Sequence, residues 1–421
     1  ELLLIRWVGT EVRIFAYFRN LVLISCFLGL GIGFSLKRFQ LDLLLSIILI
    51  TMLTGAVHPG AELYGVSFPK IHNYLTFPEF QVWHTAGPTT LLKLVVGFAM
   101  VTAVMLVLAG IFIPFGQILG RIFEASDNRL RDYSINLLGS LLGTWTFALM
   151  SYITTPPWVW FLLGVGGMVC FIRPKFWKTI VGTGTLLLIL LLVITSKQKG
   201  GITYWSPYQK LTLYRFIQET KEGARIPFLS IDVNSNFYMA ILDLSDAQAD
   251  RFPEVFNRQD MPYYPYDLPF RFQPNPKNVL IVGAGAGNDV ASALRNGAEE
   301  IDAVEIDPTI AKLGVLFHPE RPYQNPKVHL IIDDARSFFK KSQKKYDLIL
   351  FGLLDSHTLT SNFTNINLDS YVYTLESIQE AKDHLAERGM MVIAFGRKEN
   401  GLLISYTLWS RRCSTSRCLC F

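Results

Sequence analysis

The sequence predicts a multi-span α-helical membrane domain, then a small β-rich segment, then an α/β Rossmann-like domain that is incomplete at its C-terminal end. Three observations predict it. Charged residues make up 17% of the 421-residue chain, against roughly 25% in an average soluble protein, and the deficit falls mainly before Ser196. That same stretch holds a series of long uncharged apolar runs. From Lys277 onward, compact apolar segments alternate with helix-like ones, which is the pattern of a parallel sheet. The boundaries are therefore residues 1–196 for the transmembrane helices, 197–275 for the β-rich segment with its linker, and 276–421 for the Rossmann-like domain.

The chain opens on Glu1-Leu-Leu-Leu-Ile-Arg6, which reads as the tail of an apolar segment whose start is absent, and no signal peptide is identifiable. A helix needs about 20 mostly apolar residues to cross a bilayer. Leu21–Leu36 and Leu43–Val57 are slightly short of this and borrow flanking residues, whereas Leu94–Phe115 is a full span. Ser134–Ile172 is one uncharged run broken by Thr154-Thr155-Pro156-Pro157. Proline stops a helix, so this run divides into two spans. Thr179–Ser196 makes the sixth.

Composition narrows the function classes. The net charge is +5, much of it beside apolar segments, and no Lys/Arg stripe interleaved with aromatics is present. Nucleic-acid binding is not expected. No metal is expected either. His58, Glu62, His72, Glu79 and His84 share one loop, but a metal site needs three or four ligands to converge, and loop histidines are ordinarily solvated. Cys413, Cys418 and Cys420 lack a fourth ligand, and Cys26 and Cys170 sit in apolar segments as packing residues.

In the second segment, Leu211-Thr-Leu-Tyr-Arg-Phe-Ile217 and Phe237-Tyr-Met-Ala-Ile-Leu242 cluster β-formers between turn residues and read as short antiparallel strands. The proline-rich stretch 261–276 reads as a linker. Five parallel strands follow: Asn278–Val282, Ile301–Glu305, Val328–Ile332, Asp347–Phe351 and Met390–Ala394. Residues 397–421 do not read as strand–helix–strand, which leaves the sheet with an open edge.

The chemistry gathers where the first of these strands ends, in Gly283-Ala-Gly285-Ala-Gly287-Asn-Asp289. Glycines let a backbone come close to a ligand, and the helix that follows offers free N–H groups. The dinucleotide fingerprint is G-x-G-x-x-G. Here the spacing is G-x-G-x-G, with Asn288 where the last glycine would stand. The tighter turn suits a nucleoside ligand without a pyrophosphate, of the S-adenosylmethionine type. Glu305 ends the second strand about 20 residues further on, where a carboxylate accepts from ribose hydroxyls. Asp333 and Asp334 end the third strand, within reach of an adenine amino group.

These motifs, in this order, resemble the spermidine synthase (polyamine aminopropyltransferase) family over residues 202–395. Ser206-Pro-Tyr-Gln209-Lys-Leu211 resembles its entry motif and Val279–Gly285 its glycine strand. Val304-Glu305-Ile-Asp307-Pro308 resembles its ribose-binding motif, Asp334-Ala335 its adenine-side motif, and Tyr346–Phe351 the strand leading to its catalytic loop. The resemblance implies a class I methyltransferase-type fold. It implies cofactor contacts at Gln209, Gly283, Gly285, Gly287, Asp289, Glu305, Asp307, Asp334 and Ala335. It also implies S-adenosylmethionine or its decarboxylated form as co-substrate.

Two positions depart from the family. Its glycine-loop aspartate, which grips the aminopropyl ammonium group, is Ala286 here. The aspartate that opens its catalytic loop is Gly352, which leaves Asp355 and His357 as the candidates for a general base.

The expected function is a membrane-anchored transferase moving an aminopropyl group to a small-molecule amine. Two alternatives stand beside it: a methyltransferase on a membrane-associated acceptor, and an inactive nucleoside-binding sensor or transporter. A homo-oligomer fits any of the three. Lys37 and Arg38, then Arg121, Arg129 and Arg131, then Arg173, Lys175 and Lys178 lie in alternate loops. With six spans, the positive-inside rule puts the soluble domain on the far side. Use of an intracellular cofactor puts it in the cytoplasm, and this argument carries more weight. The expected location is a bacterial inner membrane.

Overall fold

The computed structural model describes residues 1–36, 40–61, 68–75, 90–172, 176–196, 200–219, 223, 225–256, 264–352, 371–398 and 402–410. The chain divides into two units, one of residues 1–212 with 233–236 and the other of residues 213–232 with 237–421.

The first unit is helical, and each uncharged run of the sequence is a helix. After α1 (Leu2–Glu11) and α2 (Arg13–Tyr17) come α3 (Arg19–Ser35), α4 (Leu43–Val57), α5 (Leu91–Glu124), α6 (Arg129–Tyr152), α7 (Pro157–Cys170) and α8 (Phe176–Thr195). The break between α6 and α7 falls at the expected Thr-Thr-Pro-Pro, with Thr154 in the left-handed region at φ 56°. Among the described residues, α5 and α8 are long and apolar enough to cross a membrane, two of the six expected spans, and α3, α4 and α7 are apolar but shorter.

The α3–α5 pair is held by glycines. A Cβ at Gly29 would stand 2.1 Å from the Ala109 carbonyl oxygen, and one at Gly33 would stand 2.1 Å from that of Ile113. From the other side, a Cβ at Gly116 would stand 2.2 Å from the Leu30 carbonyl oxygen. Small residues here let two backbones touch.

Strands β1 (Gly201–Trp205), β2 (Lys210–Glu219), β3 (Arg225–Val233) and β4 (Asn236–Ile241) form a four-stranded sheet in sequence order. Helices α9 (Asp246–Arg251) and α10 (Leu268–Phe272) follow. The second lies inside the stretch expected to be a plain linker. Pro269 at its start is tolerated because a first-turn N–H has no intrahelical partner.

The second unit is built on a six-stranded sheet. Its strands are β5 (Asn278–Val282), β6 (Glu300–Glu305), β7 (Val328–Ile332), β8 (Tyr346–Phe351), β9 (Leu385–Lys398) and β10 (Leu402–Ser410), in the order β10-β9-β8-β5-β6-β7. The helices are α11 (Asn288–Arg295), α12 (Pro308–Phe317), α13 (Ala335–Lys341) and α14 (Leu375–Asp383).

Alternate residues of the central strands feed two cores. Val279, Ile281, Leu348 and Leu350 pack with Val290 and Ala293 of α11. Leu280, Val282, Ile349 and Phe351 pack with Phe338 and Phe339 of α13 and Ala381 of α14. Both faces are covered, which is why these strands read as continuous apolar runs.

The C-terminal stretch corrects the sequence reading. The fifth parallel strand begins at Leu385, earlier than expected. Residues 402–410 are not irregular but pair antiparallel with β9, Leu402 opposite Lys398 and Ser410 opposite Met390. Ile404, Tyr406, Thr407 and Trp409 are β-formers, and antiparallel neighbours need no crossover helix between them. The edge of β9 is thus paired.

Candidate active site

Chain order reverses at β5. It runs outward through β6 and β7, and then returns to place β8 on the other side of β5. A crevice at the carboxyl ends of such strands is where open α/β sheets bind ligands. The glycine turn lies there. Gly283, Gly285 and Gly287 have φ of 72°, 57° and 105°, conformations open to glycine at little cost. Gly283 and Ala284 donate their N–H groups to the Val304 carbonyl on β6. Neighbours leave no room for side chains: a Cβ at Gly287 would stand 2.8 Å from Pro322 Cγ.

Glu305 is buried at the end of β6. Its Oε2 accepts from Gly285 N–H and its Oε1 from Asp307 N–H, both at 2.8 Å. Burial pushes its pKa up to about 7 against the pull of the Asp307, Gly285 and Ile306 backbone N–H groups. A carboxylate has about four acceptor positions, so acceptor capacity remains for a hydroxyl donor. The residue therefore fits the expected ribose role. Its neighbour Tyr323 donates its hydroxyl toward the loop carbonyls, 2.7 Å from Gly285 O and 3.1 Å from Ala284 O. Burial first, then the Glu305 and Asp289 carboxylates, hold that phenol well above its ordinary pKa.

Asp289, in the first turn of α11, is partly buried and turned toward β8. Its Oδ2 lies 3.2 Å from where a Cβ on Gly352 would stand. Burial, then the Asp267 carboxylate, pushes its pKa up to about 7, opposed by its own backbone N–H. Asn288 beside it is not a failed glycine. It is buried, its Nδ2 donates to Ala240 O at 2.7 Å and to Tyr266 Oη at 3.0 Å, and its Oδ1 accepts from Leu242 N–H.

The remaining expected contacts are placed as follows. Asp307 and Asp334 are the N-caps of α12 and α13, accepting from Thr309 N–H and Ser337 N–H, and Ala335 is buried at the start of α13. Asp333 pairs with Lys341 at 2.6 Å. Gln209 belongs to the other unit, where its N–H donates to Ser206 Oγ. Asp355 and His357 lie outside the described residues, as do Glu62, Glu79, His84, Cys413, Cys418 and Cys420.

Asn288, Tyr266 and Tyr323 escaped the sequence reading. Asn288 carried a faint signal as the one break in the glycine spacing, and the tyrosines carried none.

The sheet order and the glycine turn define a Rossmann-like α/β domain with its ligand crevice at the reversal point. Comparison with known proteins shows what this domain resembles. Residues 266–399 match the spermine/spermidine synthase domain. Polyamine aminopropyltransferase of Methanocaldococcus jannaschii is 29% identical over 147 residues, 30% of this chain and 50% of the relative. That of Buchnera aphidicola (strain APS) is 31% identical over 137 residues, 31% of this chain and 45% of the relative. The chain spans half or less of the length of these curated relatives. A crystal structure of spermidine synthase from Thermotoga maritima overlays with a TM-score of 0.35 at 16% identity, covering 50% of this chain and 72% of that one. The chain thus carries a spermine/spermidine synthase domain over residues 266–399.

Proposed function

We propose that this protein is a membrane-anchored aminopropyltransferase that uses decarboxylated S-adenosylmethionine and a small-molecule amine. The observation that carries the reading is Glu305, a buried carboxylate joined to the glycine turn and left with acceptor capacity at the reversal point of the sheet. Gly283, Gly285 and Gly287 allow the adenosyl ligand close to the backbone, while Asp334 and Ala335 at the end of β7 face its base. The co-substrate brings an electrophilic propyl carbon bound to a sulfonium. The protein positions it and handles the charge of the incoming amine.

Anchoring in a membrane is supported by the apolar helices α5 and α8. It is supported also by α6, where no residue is buried and Leu142 and Trp145 are 68% and 70% exposed. Lipid is the solvent that such a surface fits. We place the glycine-loop domain on the cytoplasmic side, where adenosyl co-substrates are made.

One observation favours a second reading. Ala286 is fully buried in the glycine turn, where the family has an ammonium-binding aspartate. A carboxylate there repels the methionine carboxylate of intact S-adenosylmethionine, and alanine does not. Methyl transfer to a membrane-associated acceptor is therefore the alternative.

Calorimetry on the full chain in detergent, with S-adenosylmethionine, its decarboxylated form and methylthioadenosine, separates the two. Preference for the decarboxylated form, with release of methylthioadenosine from a diamine reaction, is expected. Preference for the intact form selects methyl transfer. Binding without turnover over a broad acceptor panel selects a sensor, and no binding of any of the three removes the adenosyl reading altogether.

A further inference from the structure

The site lacks the two carboxylates that the family resemblance implies, the one that grips the co-substrate's aminopropyl ammonium at Ala286 and the catalytic-loop one at Gly352, yet a third carboxylate lies beside the second of these positions. Strands β5 and β8 are hydrogen-bonded neighbours, with Val282 opposite Phe351 and Gly352 N–H donating to Val282 O. Residues just beyond them therefore meet at one point of the crevice. Asp289 reaches that point from the first turn of α11, with Oδ2 3.2 Å from the position of a residue-352 Cβ. An aspartate at 352 would set a second carboxylate against it. Tyr373 Oη donates to the Gly352 carbonyl and fixes the backbone on the other side.

The groups around Asp289 leave it available. Asp267, ahead of α10, is engaged by Arg295 at 3.1 Å and by Ser292 Oγ at 2.7 Å. Tyr266 receives Asn288 Nδ2, Tyr323 is turned to the loop carbonyls, and Glu305 is held by two backbone donors. Among the described residues no side chain hydrogen-bonds the Asp289 carboxylate, and no cation is paired with it. A partly buried carboxylate facing a ligand crevice without a cation is a site for one.

We propose that Asp289 is the acceptor-side carboxylate of this site, binding the ammonium group of the incoming amine and taking its proton. This rests on the aminopropyltransferase reading. The bound ammonium passes one proton to the Asp289 carboxylate, which frees the nitrogen lone pair. That pair forms the N–C bond to the propyl carbon of the co-substrate. The C–S bond breaks with its electrons staying on sulfur, which leaves as the neutral thioether. Gly352 is then the small residue that makes room for Asp289.

The test is calorimetric and does not need turnover. Putrescine (1,4-diaminobutane) is titrated into the full chain saturated with methylthioadenosine, for wild type and Asp289→Asn. The expected result is at least tenfold weaker diamine binding in the variant, read at a methylthioadenosine concentration that saturates both proteins. Primary amines stay protonated below about pH 10. Wild-type affinity for the diamine should therefore rise between pH 6 and 8 as the carboxylate ionises, and the variant should show no such rise. Equal diamine binding by both proteins, or an unchanged pH profile in the variant, overturns the assignment alone. Failure of wild type to bind methylthioadenosine removes the adenosyl reading and the assignment with it.

Discussion

Glu305 combines a structural task with the binding task proposed for it. Its two oxygens hold Gly285 N–H and Asp307 N–H, so truncation would orphan two buried donors as well as remove the proposed ribose acceptor. Glu305→Gln is the sharper probe, because its amide keeps one acceptor oxygen, orphans one backbone donor rather than two, and carries no charge. A hydrogen bond to a charged group is worth about 1.5–3 kcal/mol. The variant should bind methylthioadenosine roughly ten- to a hundredfold more weakly, read by calorimetry, while its circular dichroism stays that of wild type. Asp307 and Asp334 call for a different expectation, since both cap helices. Substituting alanine at either should cost about 1 kcal/mol of stability whatever it does to the ligand.

The glycine turn acts as an element, and its tolerance is set by backbone as much as by space. Gly287 combines a φ of 105° with Pro322 Cγ only 2.8 Å from where a side-chain methyl would stand. Gly287→Ala should lose on the order of 1–3 kcal/mol and weaken methylthioadenosine binding, measured by thermal unfolding and calorimetry together. The α3–α5 contact obeys the same logic in the helical unit. A side chain at Gly33 meets the Ile113 carbonyl rather than a movable side chain. Gly33→Leu should separate these two helices, seen as loss of a disulfide cross-link engineered between them, whereas Gly31→Leu, with open space around it, should leave the cross-link intact.

For the whole molecule, three groups among the described residues shift the response to pH between 5 and 7. Glu305 and Asp289 keep their protons up to about pH 7 when folded, whereas their ordinary values are 4.5 and 3.8. Each contributes stability that is present at low pH and is lost as pH rises toward 7. His318 moves the other way: burial first, then Arg295, lowers its pKa from 6.5 to about 4. Its contribution is lost as pH falls below 6.5. Between pH 5 and 6.5 the folded state holds the two carboxyl protons and the unfolded state holds the histidine proton. The net balance favours the folded state at the lower pH, and one proton is worth about 1.4 kcal/mol per pH unit. Thermal unfolding of the ligand-free chain should show a higher midpoint for the Rossmann-like unit at pH 5 than at pH 6.5. In Asp289→Asn/Glu305→Gln the trend should reverse, with His318 alone remaining.

Local patterns sufficed for much of this protein. Uncharged runs marked the helices and the proline break between α6 and α7. Apolar segments marked the parallel strands, and the glycine spacing marked the ligand turn, because each of these is written in neighbours along the chain. Tertiary structure decided what depends on elements distant in sequence. The β5–β8 pairing brings Asp289 against Gly352, β10 closes the edge of β9, and Tyr323 comes to rest on the loop carbonyls. Residue spacing carries no record of which strands become neighbours, and the direction of one aspartate in the crevice follows from that adjacency alone.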